Sequence, residues 1–275
     1  MRDNDYRSLF DLTGKVILLT GGGGFLGSEF AKGYAASGAD LAILDIDKDS
    51  CESVASKITN EYGIRATGFT CDISKSASIV SAIEAIRVKF TKIDVLHNNA
   101  ANQAAGLANE FASYEDYSLD DWKRVVEIDL QGMFLITQAV GGAMVQDGIK
   151  GSMLQTSSIY GAFAPDNRIY KDAKYGTKDM CSPAVYSVVK AGSEGLVRWL
   201  STYWAESGIR VNALVPGGVE SKQNDVFKQQ YANRVPLGRM ATAEEVVGAA
   251  IFLASNAASY ITGQSIFVDG GLSAW

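Results

Sequence analysis

Short apolar runs alternate with longer helix-like stretches along this 275-residue chain. Seven of the runs are typical of buried strands: Lys15–Thr20, Asp40–Asp45, Ala66–Thr70, Val95–Asn98, Ser152–Thr156, Arg210–Val215 and Ser265–Val268. Apolar residues recur at helical spacing in Phe25–Ser37, Lys48–Tyr62, Ser76–Phe90, Leu119–Val140, Pro183–Glu206 and Ala243–Ala254. Near-continuous apolar strands separated by helices indicate a parallel sheet covered on both faces. We therefore expect an α/β fold with a doubly wound parallel sheet of about seven strands.

Two long connections interrupt this alternation, at residues 162–185 and 220–240. Connections of this length are more often functional than idle, and both follow strands in the second half of the sheet. We expect 220–240 to act as a lid that excludes water, with Val226, Phe227 and Tyr231 facing the pocket. Because no linker or repeat divides the chain, residues 1–275 are expected to form one domain.

Charge and composition argue against several classes of protein. The formal net charge of −6 argues against a nucleic-acid partner, whose binding face would be basic. The single histidine, His97, argues against a histidine-based triad and is expected to be a buried core residue. The cysteines Cys51, Cys71 and Cys181 lack metal-ligand spacing, so we expect no metal.

The expected compartment follows from the same composition. No apolar run approaches the length of a membrane span, and Met1–Phe10 is too polar for a secretory signal. A small, odd number of cysteines fits a reducing environment. We therefore expect a cytoplasmic protein without a membrane partner.

A glycine-rich turn, Thr20–Gly27, joins the first predicted strand to the first predicted helix. Glycines allow a sharp turn and close approach of a pyrophosphate, and the helix N-terminus attracts phosphate. Asp45 ends the next strand, where its carboxylate can accept hydrogen bonds from ribose hydroxyls and repel a 2′-phosphate. Ile46 and Asp47 follow it, so NAD is expected rather than NADP. Alternatively, Asp45 is a helix cap or turn residue.

Tyr186 and Lys190 are four residues apart near the start of a predicted helix, so they share one face. A free phenol has a pKa of about 10, and a nearby cation favours its phenolate. Such a tyrosine can take a proton from an alcohol or return one to a carbonyl. Ser157 and Ser158 end a preceding strand, where a hydroxyl could bond the substrate oxygen or cap a turn.

Together these residues resemble the short-chain dehydrogenase/reductase family, which has a single-domain Rossmann fold. The resemblance spans nearly the whole chain and implies that Tyr186 and Lys190 are the catalytic pair. Within Ser158-Ile159-Tyr160-Gly161, it implies that Ser158 orients the substrate. The segments Pro236–Arg239, Phe252–Ser255, Ile261–Gln264 and Val268–Gly271 resemble the family's smaller branch. Membership of that branch implies a homotetramer or homodimer.

The resemblance also implies which residues hold NAD. Besides the glycine turn and Asp45, it implies that Asp72 contacts adenine, that the segment Asn98–Ala101 lies under the cofactor and that the turn Pro216–Val219 holds the nicotinamide carboxamide. The implied set is Gly21, Gly24, Phe25, Leu26, Asp45, Asp72, Ile73, Asn99, Ala100, Tyr186, Lys190, Pro216, Gly217 and Val219.

Three features depart from the family pattern. Asp129 stands where the family has an asparagine that anchors a proton-relay water, and it is included among the expected catalytic residues. The glycines at Gly21, Gly24 and Gly27 resemble the branch that modifies sugar nucleotides. The interval between Ser158 and Tyr186 is long, and its polar residues suit a hydroxylated or anionic substrate. A surface loop or subunit contact is the alternative for this insertion.

The expected activity is interconversion of a secondary alcohol and a ketone on a small, polar or sugar-like substrate, with NAD(H) as cofactor. A second possibility is an isomerase or dehydratase that uses NAD transiently on a sugar. A third is a dinucleotide-binding regulator without catalysis, for which Asp129 is the only support.

Overall fold

The computed structural model describes residues 6–101 and 112–275. Among those residues, the strands are β1 (Val16–Thr20), β2 (Asp40–Asp45), β3 (Ala66–Thr70), β4 (Val95–Asn98), β5 (Ser152–Thr156), β6 (Lys174–Tyr175), β7 (Lys178–Asp179), β8 (Arg210–Pro216) and β9 (Ser265–Val268). The α-helices are α1 (Phe25–Ala36), α2 (Lys48–Tyr62), α3 (Ser76–Phe90), α4 (Leu119–Val125), α5 (Met133–Gln146), α6 (Ile159–Ala162), α7 (Ala184–Tyr203), α8 (Asp225–Ala232) and α9 (Ala243–Ala254).

Seven strands pair in parallel in the order β3-β2-β1-β4-β5-β8-β9, which confirms the predicted doubly wound sheet. The order reverses direction between β1 and β4, the position where such sheets open a crevice for ligands. Because all seven strands run the same way, their carboxyl ends meet at one edge. Thr20, Asp45, Asn98, Thr156 and Pro216 are all strand-terminal residues at that edge.

An apolar layer covers each face of the sheet. Buried residues of α3, α5 and α7 form one layer with alternate strand residues, including Ile79, Ile136 and Val197. Residues of α1, α2 and α9, including Phe30 and Leu253, form the other. This arrangement explains why β1, β4 and β5 are buried along their whole length. β1 is apolar up to Thr20, whereas β4 and β5 also bury polar residues, including His97 and Gln155.

The helix that follows residue 118 differs from the prediction in length and in geometry. It continues to Gln146, beyond the expected end at Val140, and residues Val126–Gly132 form a π-helix between α4 and α5. By length and composition this 28-residue helix could cross a membrane, so the expectation that no run approaches that length was wrong. Half of its most apolar window is buried inside the fold, as in the core helix of a soluble protein.

The two long connections, 162–185 and 220–240, pack against each other, and we call them together the cap. Ile169 and Ala173 from the first share a buried apolar cluster with Phe227 and Tyr231 from the second. Tyr175 and Gln223 form an isolated β-bridge between them. Phe227 and Tyr231 are buried in this cluster, whereas Val226 is 43% exposed. That these side chains face a substrate pocket stays a prediction.

Candidate active site

The glycine turn lies at the carboxyl end of β1 and is shaped for close backbone approach. Gly21 has a left-handed φ of 64°, and a Cβ there would come within 2.8 Å of the Ala100 Cα. Gly24 is the N-cap of α1 and makes no side-chain cap hydrogen bond, so the first amides of α1, including those of Phe25 and Leu26, are not capped by it. These open amides and the positive end of the helix form an anion site.

Asp45 lies beside this turn at the end of β2. Its Oδ2 accepts a hydrogen bond from the Gly23 amide at 2.9 Å, and its Oδ1 accepts one from the Asp47 amide at 3.1 Å. The α2 cap is a different residue, because Asp47 accepts the Ser50 amide. A carboxylate has about four acceptor positions, so Asp45 keeps capacity for ribose hydroxyls.

Asn99 and Ala100 are held under the glycine turn by Thr20. The Thr20 hydroxyl accepts the amides of both residues at 2.9 Å and donates to Asn98 Oδ1 at 3.1 Å. Asn99 Nδ2 donates to the Thr20 carbonyl at 3.3 Å. Thr20 thus holds the segment predicted to lie under the cofactor, with Asn99 and Ala100, next to the glycine turn. The sequence alone predicts no such role for Thr20.

Asp72 and Ile73 follow β3 at the same edge of the sheet. Asp72 Oδ1 accepts the Ser74 amide at 2.9 Å and the Ser74 hydroxyl at 2.7 Å, which fixes a tight turn. Ile73 is buried and packs against Gly132 at the end of the π-helix. A Cβ on Gly132 would come within 3.0 Å of the Ile73 side chain, so the contact needs a glycine there.

The two serines after β5 have different surroundings. The Ser157 hydroxyl is buried and donates to the buried Glu194 carboxylate at 3.0 Å, which makes it structural. Ser158 Oγ caps α6 by accepting the Tyr160 amide at 3.3 Å. Because that bond uses an acceptor position, the Ser158 proton can be donated to a substrate oxygen. Ser158 therefore caps α6, and its hydroxyl proton is still free to bond a substrate oxygen.

Tyr186 and Lys190 lie on the first two turns of α7, facing the end of β5. Lys190 is only 4% exposed, and its Nζ donates to the Thr156 carbonyl at 3.1 Å. The same Nζ is 5.6 Å from the centroid of the Tyr186 ring, and Tyr186 itself is half-buried. An ammonium has three donors, so two remain for other partners. The predicted pair is thus assembled, with its cation fixed in place.

Asp129 is buried in the π-helix, at 3% exposure, and this segment packs on α7. The next residue, Leu130, lies against Gly192 of α7, where a Cβ would come within 2.9 Å of its side chain. A π-helical turn often marks a functional position in a helix. The structure places Asp129 at the interface with the Tyr–Lys helix, and its part in a proton relay stays a prediction.

The turn Pro216–Val219 follows β8 and is attached to the cap. Tyr231 of α8 accepts a short hydrogen bond from the Gly218 amide. A Cβ on Gly218 would come within 2.6 Å of the Tyr231 ring, and one on Gly217 within 2.9 Å of the Asp269 Cα. Val219 forms a parallel bridge with Ala241 at the far end of the cap. A movement of α8 would therefore displace the turn predicted to hold the nicotinamide.

Three further phenols stand on the elements beside this site: Tyr160 follows Ser158, Tyr170 donates to Tyr160, and Tyr231 accepts the Gly218 amide. The sequence predicts that Tyr231 faces the pocket and predicts no position for the other two. Burial raises the pKa of Tyr160, Tyr170 and Tyr231, and the charge of Tyr186 raises each further. The position of Tyr160 near the site could have been predicted, because Tyr160 follows Ser158 by two residues. Tyr170 and Tyr231 arrive only through the packing of the cap.

His97 is fully buried, as expected, between Tyr34 and Thr156. Its Nδ1 is 2.8 Å from the Tyr34 hydroxyl and its Nε2 is 2.9 Å from the Thr156 hydroxyl. Burial lowers its pKa to about 3, so it is neutral in the folded protein. Among residues 6–101 and 112–275, no three His, Cys, Asp or Glu side chains are grouped to hold a metal ion.

Comparison with known proteins agrees with this geometry. The short chain dehydrogenase family model matches residues 15–232. A D-threitol dehydrogenase from Mycolicibacterium smegmatis is 32% identical over 95% of this chain and 94% of its own. A short chain dehydrogenase from Leptospira borgpetersenii with bound NAD+ is 32% identical, with a TM-score of 0.83 over 96% of this chain and 94% of that one.

A gluconate 5-dehydrogenase from Burkholderia cenocepacia, in complex with NADP and tartrate, is 30% identical with a TM-score of 0.85 and covers 98% of both chains. Nicotinamide dinucleotides of both kinds therefore occur among the structural neighbours. The family match covers well over half of the chain, and the fold and the site edge agree with it. This chain belongs to the short-chain dehydrogenase/reductase family and is an oxidoreductase acting on CH–OH groups.

Proposed function

We propose that this enzyme transfers hydride between NAD(H) and a secondary alcohol or ketone of a polyol or sugar-like substrate, with Tyr186 as the general acid/base. The observation that carries the proposal is the position of Lys190, whose Nζ is bonded to the Thr156 carbonyl and lies 5.6 Å from the Tyr186 ring. A fixed cation beside a phenol favours the phenolate and so prepares it for proton transfer.

The residues at the glycine turn fit a dinucleotide. A Cβ at Gly21 or Gly27 would collide with neighbouring backbone, which explains why the turn needs glycine. The open N-terminus of α1 suits a pyrophosphate, and Asp45 suits a ribose with free 2′- and 3′-hydroxyls. The Asp45 carboxylate would repel a 2′-phosphate, and this supports NAD as the preferred cofactor.

The proton steps follow from the side chains around Tyr186. In the oxidation direction, Ser158 donates a hydrogen bond to the substrate hydroxyl oxygen, and Tyr186 accepts that hydroxyl's proton at Oη. The two free N–H groups of Lys190 stabilise the negative phenolate oxygen. When bound, the nicotinamide takes or supplies the hydride. Asp129 joins this proposal as a relay residue behind Lys190.

The substrate class is supported by the phenols and by the relatives. Tyr160 follows Ser158 by two residues, Tyr170 donates a hydrogen bond to its hydroxyl, and Tyr231 accepts the Gly218 amide, so phenol hydroxyls stand beside the proposed site and suit the hydroxyls of a polyol. The names of two similar proteins point to a tetritol and a sugar acid as their substrates.

The test is an NAD-reduction screen over polyols, sugars, hydroxy acids and alicyclic alcohols, repeated with NADP. We expect NADH formation with at least one polyol, and Tyr186→Phe should abolish it while NADH still binds. Full activity of Tyr186→Phe would contradict the mechanism. Substrate isomerised without net NADH would instead favour transient use of NAD.

A homotetramer or homodimer is also part of the proposal. Trp199 and Tyr203 stack on α7 with ring centroids 4.7 Å apart, although they are 59% and 63% exposed. An exposed aromatic pair of this kind favours a subunit contact. Light scattering should give a particle mass that is a multiple of the 29.4 kDa chain mass. The Trp199→Glu variant should give a lower particle mass.

A further inference from the structure

Tyr160 is connected to Ser158 through one short turn. The Tyr160 amide donates to Ser158 Oγ at 3.3 Å, so the two residues leave the end of β5 in a fixed relation. The turn rests on the catalytic helix, because a Cβ on Gly161 would come within 2.8 Å of the Lys190 carbonyl carbon. The Tyr160 backbone is therefore set by the same elements that position Ser158 and Lys190.

The orientation of the Tyr160 hydroxyl is set by the cap. Tyr170, in the 3-10 turn Asn167–Tyr170, donates to it over 2.9 Å. The Tyr170 ring is itself held by stacking on Phe227, with centroids 5.6 Å apart. The Tyr160 oxygen thus accepts one hydrogen bond, and no residue of the described chain accepts its proton. This leaves a neutral, oriented donor.

The Tyr160 phenol leaves the turn that runs from Ser158 onto α7, the helix that carries Tyr186 and Lys190. It is only partly buried, so its hydroxyl can meet a bound molecule. Burial raises its pKa and the charge of Tyr186 raises it further, which agrees with this placement. A substrate that extends from Ser158 along this turn would meet the Tyr160 hydroxyl.

We propose that Tyr160 is a specificity-determining residue that donates a hydrogen bond to a second hydroxyl of the substrate, so that the enzyme selects diols and polyols over mono-alcohols. Tyr170 is its positioning residue. This inference rests on the proposed function. It explains what the segment 162–185 contributes to the site, since Tyr170 comes from that segment.

The test compares matched substrates that differ by one hydroxyl: butane-2,3-diol with butan-2-ol, and trans-cyclohexane-1,2-diol with cyclohexanol. The measured quantity is the ratio of kcat/KM for the diol to kcat/KM for the mono-alcohol. In Tyr160→Phe the ratio should fall about tenfold, the effect of one lost hydrogen bond. The change should lie mainly in KM for the diol, because the bond forms before and during the reaction.

Two other Tyr→Phe variants sharpen the comparison. Tyr170→Phe should lower the ratio less than Tyr160→Phe, since the donor is retained but no longer oriented. Tyr175→Phe, in the same connection but exposed, should leave the ratio unchanged. The melting curve and NADH binding show whether Tyr160→Phe folds. If it does not fold, Tyr170→Phe is the deciding variant, and an unchanged ratio in that variant overturns the inference.

The remaining outcomes separate this inference from the proposed function. If the wild-type enzyme oxidises alcohols but Tyr160→Phe loses activity equally on both members of each pair, Tyr160 is not a specificity residue. If the ratio falls only in Tyr170→Phe, the donor is Tyr170 and the assignment to Tyr160 is wrong. If the wild-type enzyme oxidises no alcohol in the screen with either cofactor, the proposed function fails, and this inference fails with it.

Discussion

The Lys190 ammonium donates a hydrogen bond to the carbonyl oxygen of Thr156 at 3.1 Å, and so joins α7 to the end of β5. This bond explains how a buried cation stays beside the Tyr186 ring, since a lysine has a long and flexible side chain.

Replacing Lys190 by Met should lower kcat by about 10² to 10⁴, because both the cation and its anchor are lost. NADH binding should weaken too, whereas Tyr186→Phe should leave that binding intact. Steady-state kinetics and NADH fluorescence titration measure the two effects. Lys57→Met, on the outer face of α2, is the matched control and should match wild type. A Lys190→Met enzyme with wild-type turnover would remove Lys190 from the mechanism.

Asp45→Asn should raise the ratio of kcat/KM for NADP to kcat/KM for NAD by about 10- to 100-fold, as expected for removing one nearby negative charge. The amide keeps an acceptor for the turn, so the fold is preserved. Asp47→Asn changes the same charge two residues away and remains a good helix cap, so it should leave the ratio unchanged. Equal shifts in both variants would indicate a general charge effect rather than contact with the ribose.

Because His97 is buried and neutral, we expect the free energy of unfolding to depend on pH. Its pKa is about 3 in the folded protein, against 6.5 without burial, so between these values only the unfolded chain takes up the proton. The contribution of His97 to stability is therefore complete above pH 6.5 and is lost as pH falls towards 3. The free energy of unfolding should decrease by about 1.4 kcal/mol per pH unit in that window.

Urea denaturation at several pH values tests this directly, because the chain has one histidine. His97→Gln should be less stable at neutral pH, since it cannot reproduce both hydrogen bonds, but its stability should fall less steeply below pH 6.5. The difference between the two slopes isolates His97 from the carboxylates. Identical slopes for the two proteins would show that His97 is not kept neutral by the fold.

Phe227→Ala should loosen the cap without unfolding the sheet. Phe227 is 3% exposed and packs on Tyr170 and Tyr231 from both connections, so its loss costs about 3–5 kcal/mol locally. We expect faster hydrogen exchange in residues 166–176, a higher KM for substrate and unchanged NADH affinity. Val226→Ala, at an exposed neighbouring position, should change none of these. Unchanged exchange in Phe227→Ala would mean that the two connections fold independently.

The sheet and the glycine turn could be predicted from the sequence because their signals are local. A strand such as β1 is buried on both faces and must be apolar throughout, so its bounds are visible in Val16–Thr20. Tyr186 and Lys190 could be paired because helical spacing alone puts them on one face. The burial of His97 also followed from its place at the end of a buried strand, whereas its neutral state follows from the structure.

The cap could not be predicted in the same way. Tyr170 and Tyr231 are 61 residues apart in the sequence and share a cluster only because residues 162–185 dock on 220–240. The π-helix around Asp129 depends on packing against α7 and has no local sequence signal. The different burial along α8 could not be predicted either, because only packing against residues 162–185 leaves Val226 exposed while it buries Phe227 and Tyr231.

If the cap selects the substrate, its construction limits how that selectivity can be exchanged between relatives. Its apolar cluster takes Ile169 and Ala173 from one connection and Phe227, Tyr231, Val235 and Met240 from the other, and Tyr231 also contacts the Gly218 amide in the turn proposed to hold the nicotinamide. If only residues 162–185 were replaced by those of a relative, the new side chains would have to pack against the native Phe227 and Tyr231. On the proposed function, the unit to exchange is therefore discontinuous: both connections would have to be transplanted together, while the turn at Pro216–Val219 is retained.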